Sequence, residues 1–248
     1  MENVAPVRAL NRRATQLAQL GFVGLAVGAF LVIIGLVIVT IPLLPPQHEL
    51  FALYTLIGRA LTIIGGIILL GGIVLIARAF TRKRENDLAM QTADMLLQDP
   101  IFNERYTFIR SLNPPGVVYI DAVLVGPPGV LVFRLLDHAG KFATKRGDWL
   151  KEKSSGEWVP FEINPTKQTI DDVTHVRKFL AKRKLDDVPV FGLIVFVSPD
   201  AVLDVREPVV PVCYLGDLSR ALTQEYLSKT DRISDQTAKT VRLLLLNE

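Results

Sequence analysis

The chain has 248 residues, half of them apolar, a single cysteine and a formal net charge of +3. One cysteine excludes an intrachain disulfide and a thiolate metal site within one chain, and Cys213 reads as a small core thiol. The charge is no nucleic-acid signature either. Residues 1–80 hold five arginines against two glutamates, which accounts for the whole +3, and residues 81–248 sum to zero.

Residues 1–19 form an N-terminal tail carrying Arg8, Arg12 and Arg13. No Asp, Glu, Lys or Arg occurs from Ala14 to Gln47, and residues 20–44 are predicted to be a first transmembrane helix. A bilayer core needs about 20 apolar helical residues, and Gly21 to Leu44 supplies enough to span with some tilt. Residues 45–59 make a short external loop, because Pro45 and Pro46 cannot continue a helix and Glu49 requires water. Residues 60–80 are the second transmembrane helix, uncharged from Ala60 to Ala77 and closed by a basic stop at Arg78, Arg82, Lys83 and Arg84. A cleaved signal peptide is the competing reading of the first span, but its apolar run is long and a second span follows directly. A buried soluble hairpin fails because neither helix has a polar face.

Basic residues flank both outer ends of the pair, which under the positive-inside rule places the N- and C-termini in the cytoplasm and the chain in the cell's inner membrane. Gly21, Gly24, Gly28 and Gly35 recur along the first span, and Gly65, Gly66, Gly71 and Gly72 along the second. Small residues let helices approach closely, either within one chain or in a homo-oligomer. No Asp, Glu or Lys lies in either span, which argues against transport or proton relay.

Residues 81–248 have the mixed composition of a cytoplasmic globular domain. Apolar spacing predicts a helix over Glu85–Gln98, ended by Asp99-Pro100. Strands follow at Tyr106–Ile109 and Val117–Val125. The turn Gly126-Pro127-Pro128-Gly129 leads to a hairpin partner, Val130–Leu136. Further β structure is expected around Trp149 and Trp158. Asn164-Pro165 opens a long helix to about Arg183, since Asn caps well and Pro suits the first turn. Val190–Val197 reads as a strand buried on both faces, Val209–Tyr214 as another, and helices start at Gly216-Asp217 and Ser234-Asp235. The order implies an α/β domain on a central mixed sheet.

The run Ile120 to Phe142, IDAVLVGPPGVLVFRLLDHAGKF, resembles the core of the nuclease-related domain family. So do Trp149 after the hairpin, Asn164-Pro165 with Gln168, and Phe196-Val197-Ser198 closing a buried strand. The resemblance implies a restriction-endonuclease-like sheet on which an Asp and a Glu hold Mg²⁺ and a Lys two residues after the Glu assists the attacking water. Asp121 matches the Asp. Arg134 stands at the Glu position and Leu136 at the Lys position. The resemblance also carries binding roles to Gln168 and Lys141.

An arginine cannot bind Mg²⁺ and repels it, so the expected state is an Asp121–Arg134 ion pair across adjacent strands, with no cofactor. Asp137 is out of phase, and Glu85 or Asp87 could add a carboxylate. His138 and His175 lack a second ligand at metal spacing. Lys178, Lys182, Arg183 and Lys184 fit a solvated helix end. The readings that follow are a membrane-anchored, non-catalytic domain binding a protein or nucleic-acid partner, a divergent Mg²⁺-dependent nuclease, and a scaffold assembled in the lipid bilayer through its helical hairpin.

Overall fold

The structure is a computed structural model that describes all residues except 5, 6, 42, 46, 113–118, 230, 247 and 248, and no side chains of 7–15 or 81–86. Arg8, Arg12, Arg13, Arg82, Lys83, Arg84 and Glu85 therefore lie outside the described side chains, and Val117 and Val118 outside the described residues. The chain divides into two compact units, Arg8–Arg84 on the one hand and Met1–Val7 with Glu85–Glu248 on the other.

The first unit is a pair of helices, α1 (Val7–Thr40) and α2 (Phe51–Leu97, whose last turns belong to the second unit). Within them Gln16–Thr40 and Phe51–Phe80 are long and apolar enough to cross a membrane. Both helix limits differ from the sequence expectation. The first helix stops at Thr40 rather than at residue 44, as Pro42 disfavours helical backbone at Ile41. The second starts at Phe51 rather than at residue 60, because Leu50 to Gly58 carries neither a charge nor a proline. Arg59 thus lies in the helix, not in a loop, and its long side chain can carry its charge toward a membrane surface. Tyr54 Oη donates to the Ile41 carbonyl at 3.0 Å across the connection.

Glycines pair across the two helices: Gly21 against Gly72, Gly28 against Gly65 and Gly35 against Gly58. One number rises as the other falls, so the helices are antiparallel, and the seven-residue step keeps each glycine on the contact seam. A Cβ at Gly28 would meet the Leu69 nitrogen at 2.5 Å, and one at Gly65 would meet the Gly28 carbonyl at 2.8 Å. The close approach suggested by the glycine spacing is thus made within one chain.

The second unit holds two sheets. The larger has the order β1-β2-β3-β4-β8-β10, built from β1 (Glu2–Val4), β2 (Thr107–Leu112), β3 (Ile120–Gly126), β4 (Gly129–Leu136), β8 (Val190–Phe196) and β10 (Val212–Tyr214). The smaller has the order β7-β6-β5-β9, from β5 (Gly140–Lys145), β6 (Asp148–Glu152), β7 (Trp158–Pro160) and β9 (Ala201–Arg206). β2, β3 and β4 are antiparallel, while β4, β8 and β10 are parallel, so the expected mixed sheet is present. Gly129 turns the β3–β4 hairpin at φ +131°, a conformation suited to glycine, and its carbonyl accepts from Tyr226 Oη at 2.8 Å.

Helix α3 (Pro165–Ala181) covers one face through Val173, Val176, Phe179 and Leu180, which pack with Val123, Val130 and Val132. The Asn164 cap is present: its side chain accepts from Lys167 N–H at 2.9 Å and donates to the Gly147 carbonyl at 3.1 Å. Arg183 satisfies the Phe179 carbonyl and lies 3.6 Å over the Phe179 ring, a packing role for part of the basic run. On the opposite face the end of α2, through Leu88, Ala89, Ala93 and Leu96, packs with Phe108, Leu124 and Phe133 beside α4 (Leu218–Glu225). Asp217 makes no side-chain cap bond to α4, whereas Ser234 accepts from Thr237 N–H at 3.1 Å at the start of α5 (Asp235–Leu246). Trp149 stacks on Phe196 at 5.7 Å and donates to Thr166 Oγ1 at 2.8 Å, which joins the small sheet to the head of α3.

The N-terminal tail is more than a tail. Glu2–Val4 add a parallel strand beside β2, Arg110 Nε donates to Asn3 Oδ1 at 2.9 Å, and Arg242 Nη2 to Glu2 Oε1 at 2.7 Å.

Glycine substitution separates the two sides of α2. Gly65→Ala should lower the thermal midpoint of the detergent-solubilised chain, since its methyl meets backbone. Gly66→Ala, which meets nothing within 4 Å, should leave that midpoint unchanged or raise it slightly. Equal midpoints for the two variants would contradict the seam.

Candidate functional site

Asp121 and Arg134 lie on the sheet face that α3 covers. β3 pairs with β4 from Gly126↔Gly129 down to Ala122↔Phe133, and one more step sets Asp121 opposite Arg134. Beyond the last backbone pair a side chain takes over: Asp121 Oδ2 accepts from the Leu135 N–H at 2.9 Å. Arg134 Nη1 stands 3.4 Å from Asp121 Oδ2, so the cross-strand pair expected from the sequence is formed.

The guanidinium has a second anion. Its Nη2 donates to Asp172 Oδ2 of α3. The side chains of Asp121 and Asp172 are 6% and 5% exposed, against 17% for Arg134, so the cluster is largely withdrawn from water. Arg134 Nε is buried with no hydrogen-bond partner. Sequence reading missed Asp172, although a signal was there. It falls on the buried stripe of α3 with Thr169, Val173 and Val176, where an unpaired acid would be costly.

Two carboxylates and one guanidinium leave an excess negative charge, and burial raises both acids. Asp172 is pushed up to about 6, by burial first, against the lowering effect of Arg134; Asp121 raises it further, and His175, one turn along α3, lowers it. Asp121 is raised by burial against the opposing Arg134 charge and the Leu135 N–H. A divalent cation does not fit this donor set. Both carboxylates already face a fixed positive charge, and Arg134 brings that charge to the position where an oxygen ligand is needed.

The other candidates disperse. Leu136 is 4% exposed and packs with Phe142, Trp149 and Phe196, which makes it a core residue with no solvent to orient. Gln168 is exposed on α3, one turn before Asp172 and on its side of the helix. Lys141 is exposed on β5 of the other sheet, 2.8 Å from Glu152, and does not join the cluster. Asp87 is exposed on the stretch of α2 that packs against the opposite face of the sheet, and Asp137 follows the end of β4. His138 packs edge-on to Phe161 at 5.3 Å.

Removing the cation strands two buried charges. Arg134→Ala is expected to cost about 3–5 kcal/mol at pH 7. Part of that loss should return on acidification toward pH 4 as the carboxylates take up protons, read as urea midpoints across pH. In the intact protein Asp172 has a raised folded pKa, so its stabilising contribution is full below about pH 4 and declines as pH rises through about 6. Asp172→Asn, neutral throughout, should therefore show a flatter stability profile between those values. An unchanged slope would contradict the burial of Asp172.

Residues 86–197 match the family model of the nuclease-related domain. Among curated proteins and among solved structures the chain has no match. The matched segment begins on α2 and ends just past β8, so it includes Asp121, Arg134, Leu136 and Asp172. The chain thus carries a nuclease-related domain at residues 86–197, after two helices long and apolar enough to cross a membrane.

Proposed function

We propose that the chain is a membrane-anchored, non-catalytic member of its domain family that binds a protein or nucleic-acid partner at the inner face of the cell membrane. One observation carries the catalytic half of this reading: the Arg134 guanidinium lies between two buried carboxylates, at the place where metal-dependent phosphodiester cleavage needs oxygen ligands and a divalent ion. Leu136, buried in apolar surroundings at the position expected for a water-activating Lys, argues the same way. Incubating the solubilised full chain with plasmid DNA and Mg²⁺ or Mn²⁺ should leave the DNA intact. Cleavage that disappears in Asp121→Ala would overturn the reading and restore the divergent nuclease.

Anchoring and sidedness draw on two independent features. Basic residues flank the outer ends of the helix pair. Residues 2–4 pair with β2 of the domain, so in a bilayer crossed twice the N-terminus and the domain share one side. Impermeant thiol labelling in intact cells should miss a cysteine introduced at Asp99 or at Glu157, and should label one at Glu49 between the two apolar helices. Labelling of the first two from outside would reverse the orientation.

Partner class follows from salt. A nucleic-acid partner must give affinity that falls steeply with ionic strength, whereas the near-neutral charge of residues 81–248 favours a protein. The scaffold reading would use the face of Gly66 and Gly71, which meet nothing within 4 Å, because Gly21, Gly28 and Gly35 contact the second helix of the same chain.

A further inference from the structure

The smaller sheet buries only one of its faces. Phe142, Trp149 and Ala201 turn inward to Phe196, and the residues that alternate with them point the other way. Strand register gathers that second face into rows. Trp158, Glu152, Lys141 and Val202 lie side by side across β7, β6, β5 and β9, and Pro160, Leu150, Ala143 and Asp204 form the next row. Trp158 is 42% exposed, Leu150 38% and Val202 54%. The solvated face of a sheet is usually polar, so an exposed tryptophan grouped with aliphatic side chains marks a surface that meets something.

The charges on this face cancel. Lys141 stands 2.8 Å from Glu152, Arg206 2.9 Å from Asp204, and Lys145 is paired across the strands with Asp148. A nucleic acid would need an excess of positive charge, which three such pairs do not give. A tryptophan among aliphatic neighbours with balanced charge suits the interfacial zone of a bilayer, where the indole is apolar in body and polar at its N–H.

Placement within the domain agrees. Leu112 is opposite Ile120 and Leu136 is beside Phe196, and β3 is antiparallel to both β2 and β4, so these four residues mark one end of the larger sheet. Both connections into the smaller sheet, Leu136 to Gly140 and Phe196 to Ala201, leave from that end. β1, which leads into the first apolar helix, points the same way, from Glu2 beside Thr107 to Val4 beside Ile109. A domain already tethered to lipid needs little affinity for a second contact, because the tether makes that contact intramolecular.

We propose that the open face of the smaller sheet docks on the lipid surface, with Trp158, Leu150, Pro160 and Val202 between the headgroups and the acyl chains. The inference rests on the membrane-anchored reading and adds to it a second contact with the bilayer, made by the domain itself.

Tryptophan emission tests it. The chain has two tryptophans, and Trp149, 4% exposed and stacked on Phe196, serves as an internal standard for Trp158. The full chain is reconstituted in vesicles of phosphatidylcholine brominated on its acyl chains, a quencher that acts only at close range. Compared with unbrominated lipid, wild-type emission should fall, and Trp158→Phe should abolish the fall. Val202→Glu, at an exposed position, should lose most of the quenching while keeping the wild-type thermal midpoint. A chain that fails to float with the vesicles would overturn the anchored reading and this inference together. One that floats while its emission is equal in both lipids would overturn this inference alone and leave the face to a protein partner. Quenching that survives Trp158→Phe, or that is undiminished in Val202→Glu, would overturn it as well.

Discussion

A guanidinium held between two buried carboxylates ties together the three elements on which the domain's central face depends. Asp121 comes from β3, Arg134 from β4 and Asp172 from α3, so the same charge that closes the hairpin also docks the helix onto the sheet. Burial makes this contact costly to break rather than strongly stabilising to make. Each ion has given up its water, and removing one partner leaves the others uncompensated. The raised proton affinity of both acids is the same cost expressed as titration.

That constraint bears directly on chemistry. Hydrolysis of a phosphodiester on a sheet of this kind requires carboxylates free to face a hard cation and a basic side chain facing water. Asp121 and Asp172 converge as such ligands would, but they converge on an arginine, and Leu136 is packed among aromatic rings. Where a metal site would hold a divalent ion, these two carboxylates face a covalently held cation. Hydrophobic packing of α3 on β4 and β8 does not depend on an open metal position.

The two units solve different packing problems. Between the apolar helices, glycines seven residues apart let two backbones approach closely. In the domain the drive is burial of apolar side chains on both faces of a mixed sheet, with α3 on one side and α2 and α4 on the other. The short β1 strand adds to this second unit from before the first apolar helix.

Much of this was legible in local sequence pattern. Long uncharged runs mark the two apolar helices, Asn164-Pro165 marks the head of α3, the Gly126–Gly129 turn fixes the hairpin, and with it the opposition of Asp121 and Arg134, thirteen residues apart, follows from strand register alone. Where local chemistry was overlooked, as with Pro42 ending α1, the information was still present in adjacent residues. Tertiary structure decided the rest. Asp172 reaches Arg134 across 38 positions, β1 joins β2 from the far side of both apolar helices, and Lys141 is carried off on a separate sheet. Periodicity reports which face of an element is buried, not what lies against it, so the third member of the charge cluster emerges only when distant segments are packed together.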